Sequence, residues 1–211
     1  GLQIYLETER LYLRQFTPAD VDHLVDLDAD PEVMRYLTGG RSTPRTQVEQ
    51  VTLPRILGDY ARHPGFGCWA AVETASGAFV GWFLLRPRTG RTDGTGSDPM
   101  ASDRTGSDRM SSDGAGIDQA ELGYRLRRAA WGKGYATEGA RALIRKGFTE
   151  LGVRRIFAQT MAVNRASRRV MEKCGMKLVR VFYPDWDDPI PGAEAGEVEY
   201  ALTREEWERL S

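Results

Sequence analysis

Apolar and polar side chains repeat along this chain with two different periods, which predict interleaved strands and helices. Strands are predicted where the two kinds of side chain alternate, or where a short apolar run lies between turn residues, at residues 10–16, 68–74, 78–85, 120–126, 155–161, 178–182 and 198–202. Helices are predicted where apolar positions have helical spacing or where capping residues mark a start, at residues 17–27, after Asp30-Pro31, at residues 46–60, 134–151 and 164–174, and from Thr203. This order of elements predicts a mixed α/β domain.

Turn and capping residues support several of these boundaries. Asn164 and Gly175 are expected to cap the start and the end of one helix, since asparagine accepts N–H bonds at a helix start and glycine adopts positive φ beyond a helix end. Ser76-Gly77 predicts a hairpin turn between two strands. Pro54 is expected to kink the helix predicted over residues 46–60, because its ring clashes with the preceding turn.

Residues 89–118 differ from the rest of the chain in composition. They consist largely of Gly, Ser, Thr, Asp and Arg, and residues 95–104 and 105–114 repeat one another at seven of ten positions. A segment with so little to bury cannot offset the entropy that it loses on ordering. We therefore expect one domain over residues 1–211 that carries a flexible insertion at 89–118. The alternative is an acidic lid over a substrate.

The overall composition excludes several classes of protein. The 211 residues are 41% hydrophobic, enough for a sizeable core, and the formal net charge of −1 argues against a general nucleic-acid-binding protein. No apolar run of about 18 residues is present, so no membrane span is expected. Cys68 and Cys174 are too few for a disulfide framework or a four-ligand zinc site. They favour a reduced, cytoplasmic protein, and no bound metal is expected.

The charges are nevertheless unevenly distributed. Residues 125–180 contain fifteen Lys or Arg and only three acids, whereas residues 185–208 contain nine acids and one base. A basic block in a nearly neutral protein indicates a local polyanionic ligand.

The segment Trp131-Gly132-Lys133-Gly134, between a predicted strand and a predicted helix, indicates where that ligand binds. Glycines let the backbone approach a ligand closely, and a helix N-terminus offers unpaired N–H groups and a positive dipole end. Arg127, Arg128 and Lys133 add positive charge. The spacing matches neither a Walker A loop nor a dinucleotide fingerprint. The alternative is a tight turn that requires glycine for its conformation alone.

Several motifs in order resemble those of one protein family. Residues 121–126 (ELGYRL), 131–139 (WGKGYATEG) and 164–176 (NRASRRVMEKCGM), together with 8–14 (TERLYLR), are similar to the GNAT superfamily of acetyl-CoA-dependent N-acetyltransferases. The most similar subgroup is the Rim type, named for ribosomal-protein N-terminal acetyltransferases. The resemblance covers about 8–86 and 120–210.

The resemblance implies a fold, a reaction and a cosubstrate. The expected fold is a central, mostly antiparallel sheet with a splayed parallel pair, strands 120–126 and 155–161, flanked by helices. The expected reaction moves acetyl from acetyl-CoA, the cosubstrate, to a primary amine on a protein N-terminus or a small molecule. The expected protein is a monomer or homodimer. Ala129 stands where the superfamily has Arg or Gln, and Gly139 stands where Ala is usual.

Motif positions assign the cofactor contacts. Backbone N–H groups of the glycine loop would bind the pyrophosphate of coenzyme A, Asn164 would bind the pantetheine arm, and Ser167 would lie near the thioester sulfur. The implied contacts are Arg127, Arg128, Trp131, Gly132, Lys133, Gly134, Tyr135, Ala136, Asn164 and Ser167.

The reaction also needs a base and an acid, since the acceptor amine loses a proton and the thiolate gains one. Glu121 is the first candidate base because its strand runs into the glycine loop; the alternative is a solvent-facing side chain. Tyr124 or Ser167 can act as acid. The acceptor site is expected at Glu197 and Glu199 and at the acidic loop that contains Trp186. A second hypothesis is a catalytically weak acyl-CoA sensor.

Overall fold

Eight strands form a single mixed sheet in the computed structural model, which describes residues 2–88 and 118–210. The strands are β1 (Ile4–Glu7), β2 (Leu11–Gln15), β3 (Gly67–Glu73), β4 (Phe79–Arg88), β5 (Gln119–Leu126), β6 (Arg155–Met161), β7 (Lys177–Phe182) and β8 (Glu197–Thr203). The helices are α1 (Val21–Asp28), α2 (Arg35–Thr38), α3 (Arg45–Gln47), α4 (Leu53–Arg62), α5 (Tyr135–Thr149), α6 (Arg165–Lys173) and α7 (Arg204–Arg209). The strand order is β1-β2-β3-β4-β5-β6-β8-β7, with every neighbouring pair antiparallel except β5 and β6. The predicted fold class is thereby confirmed.

The elements predicted after residue 119 are present with ends that shift by one or two residues, but two features before it differ. The edge strand β1 has only four residues, all at least partly exposed, and gives no clear sequence pattern. The helix predicted over 46–60 is instead divided into α3, a π-helical segment at Val48–Thr52, and α4. Pro54 lies in the first turn of α4, where a missing N–H is tolerated, and the π-helical segment comes directly before this helix. The predicted kink at Pro54 stays a prediction.

The insertion predicted at 89–118 falls, apart from Asp118, outside the described residues. The carbonyl of Asp118 accepts hydrogen bonds from the N–H groups of Arg154 and Arg155, which joins the start of β5 to the start of β6. A flexible insertion within one domain stays a prediction.

Helices cover both faces of the sheet. One face packs against α5 and α6 around fully buried side chains that include Trp69, Phe83 and Phe148. The other face packs against α1 and α4 around Trp82 and Leu84. Because side chains alternate along each strand, successive residues of β4, β5 and β6 belong to different layers.

The parallel strands β5 and β6 separate soon after they meet. Their residues pair only from Gln119 opposite Arg155 to Glu121 opposite Phe157, although β5 runs on to Leu126 and β6 to Met161. The later halves of both strands therefore border a gap in the sheet. This gap confirms the predicted splay and positions the candidate site.

Candidate active site

A cleft of about 740 Å³ opens at the splay between β5 and β6. Its lining comes from residues within 32–37, 122–126, 130–137, 159–160 and 164–173, and from Trp82. The two strands form its floor, while the N-terminus of α5 and the length of α6 form its walls. The segment that leads into α2 closes the remaining side. A cavity of this size accommodates an extended small molecule.

The predicted glycine loop lies at one end of the cleft. Gly132 and Gly134 have φ values of +75° and +83°, which favour glycine, and Gly134 is the N-cap of the fifteen-residue helix α5. A Cβ added at Gly132 would meet no atom within 4 Å, so the backbone there faces open space. Exposed N–H groups at the N-terminus of a long helix bind phosphate. The loop therefore fits the pyrophosphate that the sequence predicts for it.

The three cations predicted beside the glycine loop do not line the cleft. Arg128 forms an ion pair with Asp30 at 2.5 Å, and Arg127 donates to the carbonyl oxygen of Phe79. Neither these two residues nor Lys133 lines the cleft. The structure therefore brings the backbone of the predicted phosphate site to the cleft, but not the three side-chain charges predicted beside it.

Two hydroxyl groups meet at the other end of the cleft. Tyr124, on β5 just past the splay, donates a hydrogen bond across 3.1 Å from Oη to Oγ of Ser167 on α6. Burial raises the pKa of Tyr124 far above its usual range, although the Ser167 hydrogen bond partly offsets this effect. The tyrosine is therefore neutral at physiological pH and retains its proton.

Asn164 helps to position the Tyr124–Ser167 pair. Its Oδ1 accepts a hydrogen bond from the Ser167 backbone N–H at 3.2 Å, which makes it the side-chain cap of α6. Both residues also line the cleft, and their predicted contacts with the pantetheine arm and the thioester stay predictions. The cap fixes where α6 begins and hence where the Ser167 hydroxyl lies.

Residues 10–177 match the family model for the acetyltransferase (GNAT) domain. A protein of Aspergillus fumigatus named FsC-acetyl coenzyme A-N(2)-transacetylase is 40% identical over 206 residues, which are 97% of this chain and 78% of that protein. This chain belongs to the GNAT acetyltransferase family. It is accordingly an acyltransferase.

Solved structures of coenzyme A complexes share the GNAT fold. The ribosomal-protein alpha-N-acetyltransferase RimL in complex with coenzyme A has a TM-score of 0.68 at 16% identity, over 95% of this chain and 98% of that chain. The aminoglycoside acetyltransferase AAC(6')-Ib in complex with coenzyme A has a TM-score of 0.66 at 19% identity, over 94% of this chain and 98% of that chain. At these identities the likeness concerns the fold.

Arg10, which lies outside the cleft, holds the glycine loop in place. The sequence alone assigned this residue no role. Arg10 donates from Nη1 to the carbonyl oxygen of Lys133 at 2.8 Å and from Nε to Glu138 at 2.7 Å. Its guanidinium also lies 4.4 Å above the ring of Tyr135, whose hydroxyl is bonded to Glu73. The signal was available, because residues 8–14 and Glu138 both belong to motifs of the resemblance.

Trp131 forms an exposed wall beside the glycine loop. Its indole Nε1 donates to the carbonyl oxygen of Leu126 at 2.9 Å, and 46% of the residue's surface is exposed. The hydrogen bond fixes the ring at the end of β5 and leaves one side facing the cleft. Its contact with coenzyme A stays a prediction.

Glu121, the predicted base, is buried rather than solvent-facing. The residue is 2% exposed, and its Oε1 accepts hydrogen bonds from Nη2 and Nε of Arg88 at 2.6 and 3.1 Å. It lies at the last paired position before the splay and does not itself line the cleft. The side chain is thus committed to a buried ion pair next to the cleft.

Glu199 and Glu197 are both buried on β8, behind the floor of the cleft. Glu199 lies opposite Gln159 and accepts from its Nε2 at 2.9 Å; Arg155 and Arg180 also donate to Glu199, each at 3.2 Å. Gln159 lines the cleft. Glu199 is therefore connected to the cleft through one amide.

Two further parts of the predicted acceptor site lie differently. Trp186 is partly exposed in the loop before β8 and does not line the cleft. The cleft-lining carboxylate in the described part of the chain is Glu32, which precedes α2. Sequence reasoning missed Glu32, since its segment carries no motif.

In residues 2–88 and 118–210, no cluster of three His, Cys, Asp or Glu side chains is arranged to hold a metal ion. None of the helices within these ranges combines the length and hydrophobicity of a membrane span. Cys68 and Cys174 are unpaired and buried, and burial raises the pKa of both thiols.

Proposed function

We propose that the protein is an acetyl-CoA-dependent N-acetyltransferase that moves an acetyl group to a primary amine on a small molecule or a peptide. The observation that carries the proposal is the cleft itself: the splay of β5 and β6 joins a glycine loop at the N-terminus of α5 to a Tyr124–Ser167 pair. One end suits phosphate and the other suits proton transfer. An elongated thioester of coenzyme A has its phosphates and its reacting sulfur at opposite ends in the same way.

The residues at the phosphate end fit the cosubstrate. The backbone of Trp131, Gly132, Gly134, Tyr135 and Ala136 lines the cleft where the pyrophosphate would lie. Helix N–H groups bind phosphate through hydrogen bonds and the helix dipole together, so side-chain cations are not required at this point. Bound acetyl-CoA supplies a thioester whose C–S bond breaks as the acceptor amine forms a C–N bond, with one proton leaving the amine and one joining the thiolate.

At the reacting end, Ser167 and Tyr124 would stabilise the departing sulfur. Ser167 accepts the tyrosine's hydrogen bond, which leaves its own hydroxyl proton free to point into the cleft. Because burial raises the pKa of Tyr124, the pair keeps both protons at neutral pH. A preorganised donor of this kind is worth about 10²–10³ in rate where negative charge develops.

On the acceptor side, Gln159 would orient the amine. It lines the cleft, and its Nε2 donates a hydrogen bond to the buried carboxylate of Glu199 at 2.9 Å, which fixes the orientation of the amide. Glu121 remains the proposed base, and its carboxylate would act while it is also paired with Arg88. Glu32 is a second carboxylate for this role because it lines the cleft directly.

The acceptor class rests on the relatives. The Aspergillus fumigatus relative is named for transfer to an N(2) nitrogen of FsC, and the RimL and AAC(6')-Ib structures are named for protein and aminoglycoside acetylation. All three names indicate amine acceptors. We also propose that the protein belongs to the Rim-type subgroup. The sensor hypothesis is not favoured, since the family and these relatives are named for transferases.

A thiol-release assay tests the proposed function. Acetyl-CoA would be incubated with FsC, short peptides, aminoglycosides and other primary amines, and free thiol would be measured for the wild type, Glu121→Gln, Glu32→Gln and Ser167→Ala. We expect turnover with one acceptor class and a lower kcat in Ser167→Ala with coenzyme A binding retained. A loss confined to one of the two glutamate variants would identify the base.

Binding controls separate chemistry from folding. Each variant would be titrated with coenzyme A by calorimetry, because a variant that binds normally is folded at the cleft. Absence of coenzyme A binding by the wild type would overturn the phosphate assignment and the proposed function with it. Binding without turnover for every amine tested would overturn the transferase proposal for this acceptor panel.

A further inference from the structure

Helix α6 presents a stripe of positive charge to the cleft. Arg165, Arg169 and Lys173 follow one another at intervals of four residues, which places them on the same side of the helix, and all three line the cleft. None of them forms an ion pair with a carboxylate of residues 2–88 or 118–210. By contrast, Arg168 bonds to the Tyr200 hydroxyl and the Ala162 carbonyl oxygen.

The stripe runs from the reacting end of the cleft towards the phosphate end. Ser167, in the first turn of α6, meets Tyr124 at the splay. The last residue of α6, Lys173, has its carbonyl oxygen bonded to Nη2 of Arg141 on α5 at 2.7 Å. Arg169 and Lys173 therefore lie on the stretch of α6 that approaches α5, whose N-terminus carries the glycine loop.

Charge balance then points to a ligand. Coenzyme A carries a pyrophosphate and a separate phosphate on the 3' position of its ribose. The glycine loop offers backbone N–H groups to one of these groups, while Arg127, Arg128 and Lys133 do not line the cleft. Two other arginines line the cleft: Arg125, which forms an ion pair with Asp28, and Arg35 on α2. The remaining positive side chains of the lining all come from α6.

We propose that Arg169 and Lys173 bind the ribose 3'-phosphate of coenzyme A. The proposal rests on the proposed function, because it assumes that coenzyme A occupies the cleft. Arginine offers a planar fork of donors and lysine a point charge, and both suit a phosphate. Lys173 has a second effect, since a cation at a helix C-terminus offsets the negative dipole end that a phosphate would otherwise meet.

The test compares coenzyme A with 3'-dephospho-coenzyme A, which lacks only the phosphate in question. Dissociation constants for both would be measured by calorimetry with the wild type and with the double variant Arg169→Gln/Lys173→Gln. Hydrogen bonds to charged groups contribute enough for the wild type to prefer coenzyme A by about tenfold or more. The double variant should bind the two ligands almost equally, with its affinity for 3'-dephospho-coenzyme A close to that of the wild type.

Arg145→Gln is the matched control for loss of general positive charge. Arg145 is exposed on α5 and does not line the cleft, so its variant should keep the full preference for coenzyme A. Equal affinities of the wild type for the two ligands would overturn the proposal while leaving the proposed function intact, as would a preference that survives in the double variant. Failure of the wild type to bind either ligand would overturn both.

Discussion

Arg10 and Glu138 lie 128 residues apart in sequence and form an ion pair at 2.7 Å that joins the start of β2 to the first turn of α5. The same carboxylate accepts from the Arg10 backbone N–H at 2.9 Å and from the Thr8 hydroxyl at 2.6 Å. Because Arg10 also holds the carbonyl oxygen of Lys133, the glycine loop has a fixed support behind it. Arg10 is therefore a positioning residue for the loop.

Replacing Arg10 by Ala should weaken use of acetyl-CoA without disabling the chemistry. We expect the KM for acetyl-CoA to rise about tenfold with a smaller change in kcat, since a displaced loop loses phosphate contacts made equally in ground and transition states. S-acetylpantetheine, which lacks the pyrophosphate, should be used equally well by wild type and variant. Steady-state kinetics with the two donors measures both.

The Arg10→Ala substitution should change the free energy of unfolding little, because 42% of the Arg10 side chain is exposed and exposed ion pairs contribute little stability. A rise in KM would therefore not be caused by unfolding. Arg10→Lys is the control: it keeps the charge but cannot hold Glu138 and the Lys133 carbonyl through separate N–H groups. A loss of the same size with S-acetylpantetheine would contradict the positioning role.

The Tyr124–Ser167 hydrogen bond predicts coupled effects on catalysis. Tyr124→Phe and Ser167→Ala should each lower kcat by about 10²-fold or more, as is usual when a proton donor is removed. The double variant should be no slower than the slower single variant, because the two hydroxyls act as one unit. A double-mutant cycle on kcat, with coenzyme A affinity measured alongside, tests the coupling.

The pH dependence has a definite sign. Burial raises the pKa of Tyr124, so its hydroxyl stays protonated through pH 10 and should cause no alkaline fall in kcat below that pH. A fall between pH 8 and pH 10 that disappears in Tyr124→Phe would show that the tyrosine ionises in the assay range and would contradict this assignment.

Much of the fold follows from local sequence signals. Helix α5 has an apolar stripe and a glycine loop before it, and α6 has a cap and a terminal glycine, so both are predictable within a residue or two. The edge strand β1 is not, since four partly exposed residues carry no period. The π-helical segment before Pro54 also escapes prediction, because it depends on how two helical turns adjust to the proline.

Local sequence signals predict only part of the candidate site. The glycine loop is readable because conformation and spacing are local. Whether Arg128 meets a phosphate depends on Asp30, which lies 98 residues away, and the fate of Glu121 depends on Arg88 on another strand. A sequence shows the charges but not which charges the fold pairs.

Gly139 on α5 is predicted to be required by packing, although alanine is the better helix former by about 1 kcal/mol. A Cβ at Gly139 would lie 2.3 Å from the ring of Phe83, which is fully buried in β4. Overpacking of this kind costs about 1–3 kcal/mol. We therefore expect Gly139→Ala to lower the free energy of unfolding, as measured by urea denaturation.

Gly58→Ala in α4 is the control for helix propensity. The three atoms nearest a Cβ there belong to the flexible end of the Arg62 side chain, which can move aside, so this variant should be neutral or slightly more stable. Phe83→Leu should relieve much of the strain in Gly139→Ala. An increase in stability for Gly139→Ala alone would mean that the helix and sheet can separate at this point.

Asp20 and Arg14 are expected to make stability depend on acid pH. The two side chains are buried and form two hydrogen bonds of 2.9 Å, and Asp20 also accepts from the backbone N–H of Thr17 at 2.8 Å. Burial acts to raise the pKa of Asp20, but the hydrogen bonds from Arg14 and Thr17 outweigh it and hold this pKa below its usual range. Removing one partner of a buried pair costs about 3–5 kcal/mol.

A lowered pKa in the folded state means that Asp20 stabilises the protein above its unfolded pKa of about 3.9 and loses this effect as pH falls through the folded value. Asp20→Asn should therefore be markedly less stable than the wild type at pH 7, and the difference should begin to narrow below about pH 4. Asp22→Asn is the control, since 80% of that side chain is exposed and its pair with Arg45 is worth little. Urea unfolding at several pH values measures the difference. A gap between wild type and Asp20→Asn that stays constant from pH 7 to pH 3 would mean that the charge of Asp20 does not contribute, and that its role lies in the shape of the cap before α1.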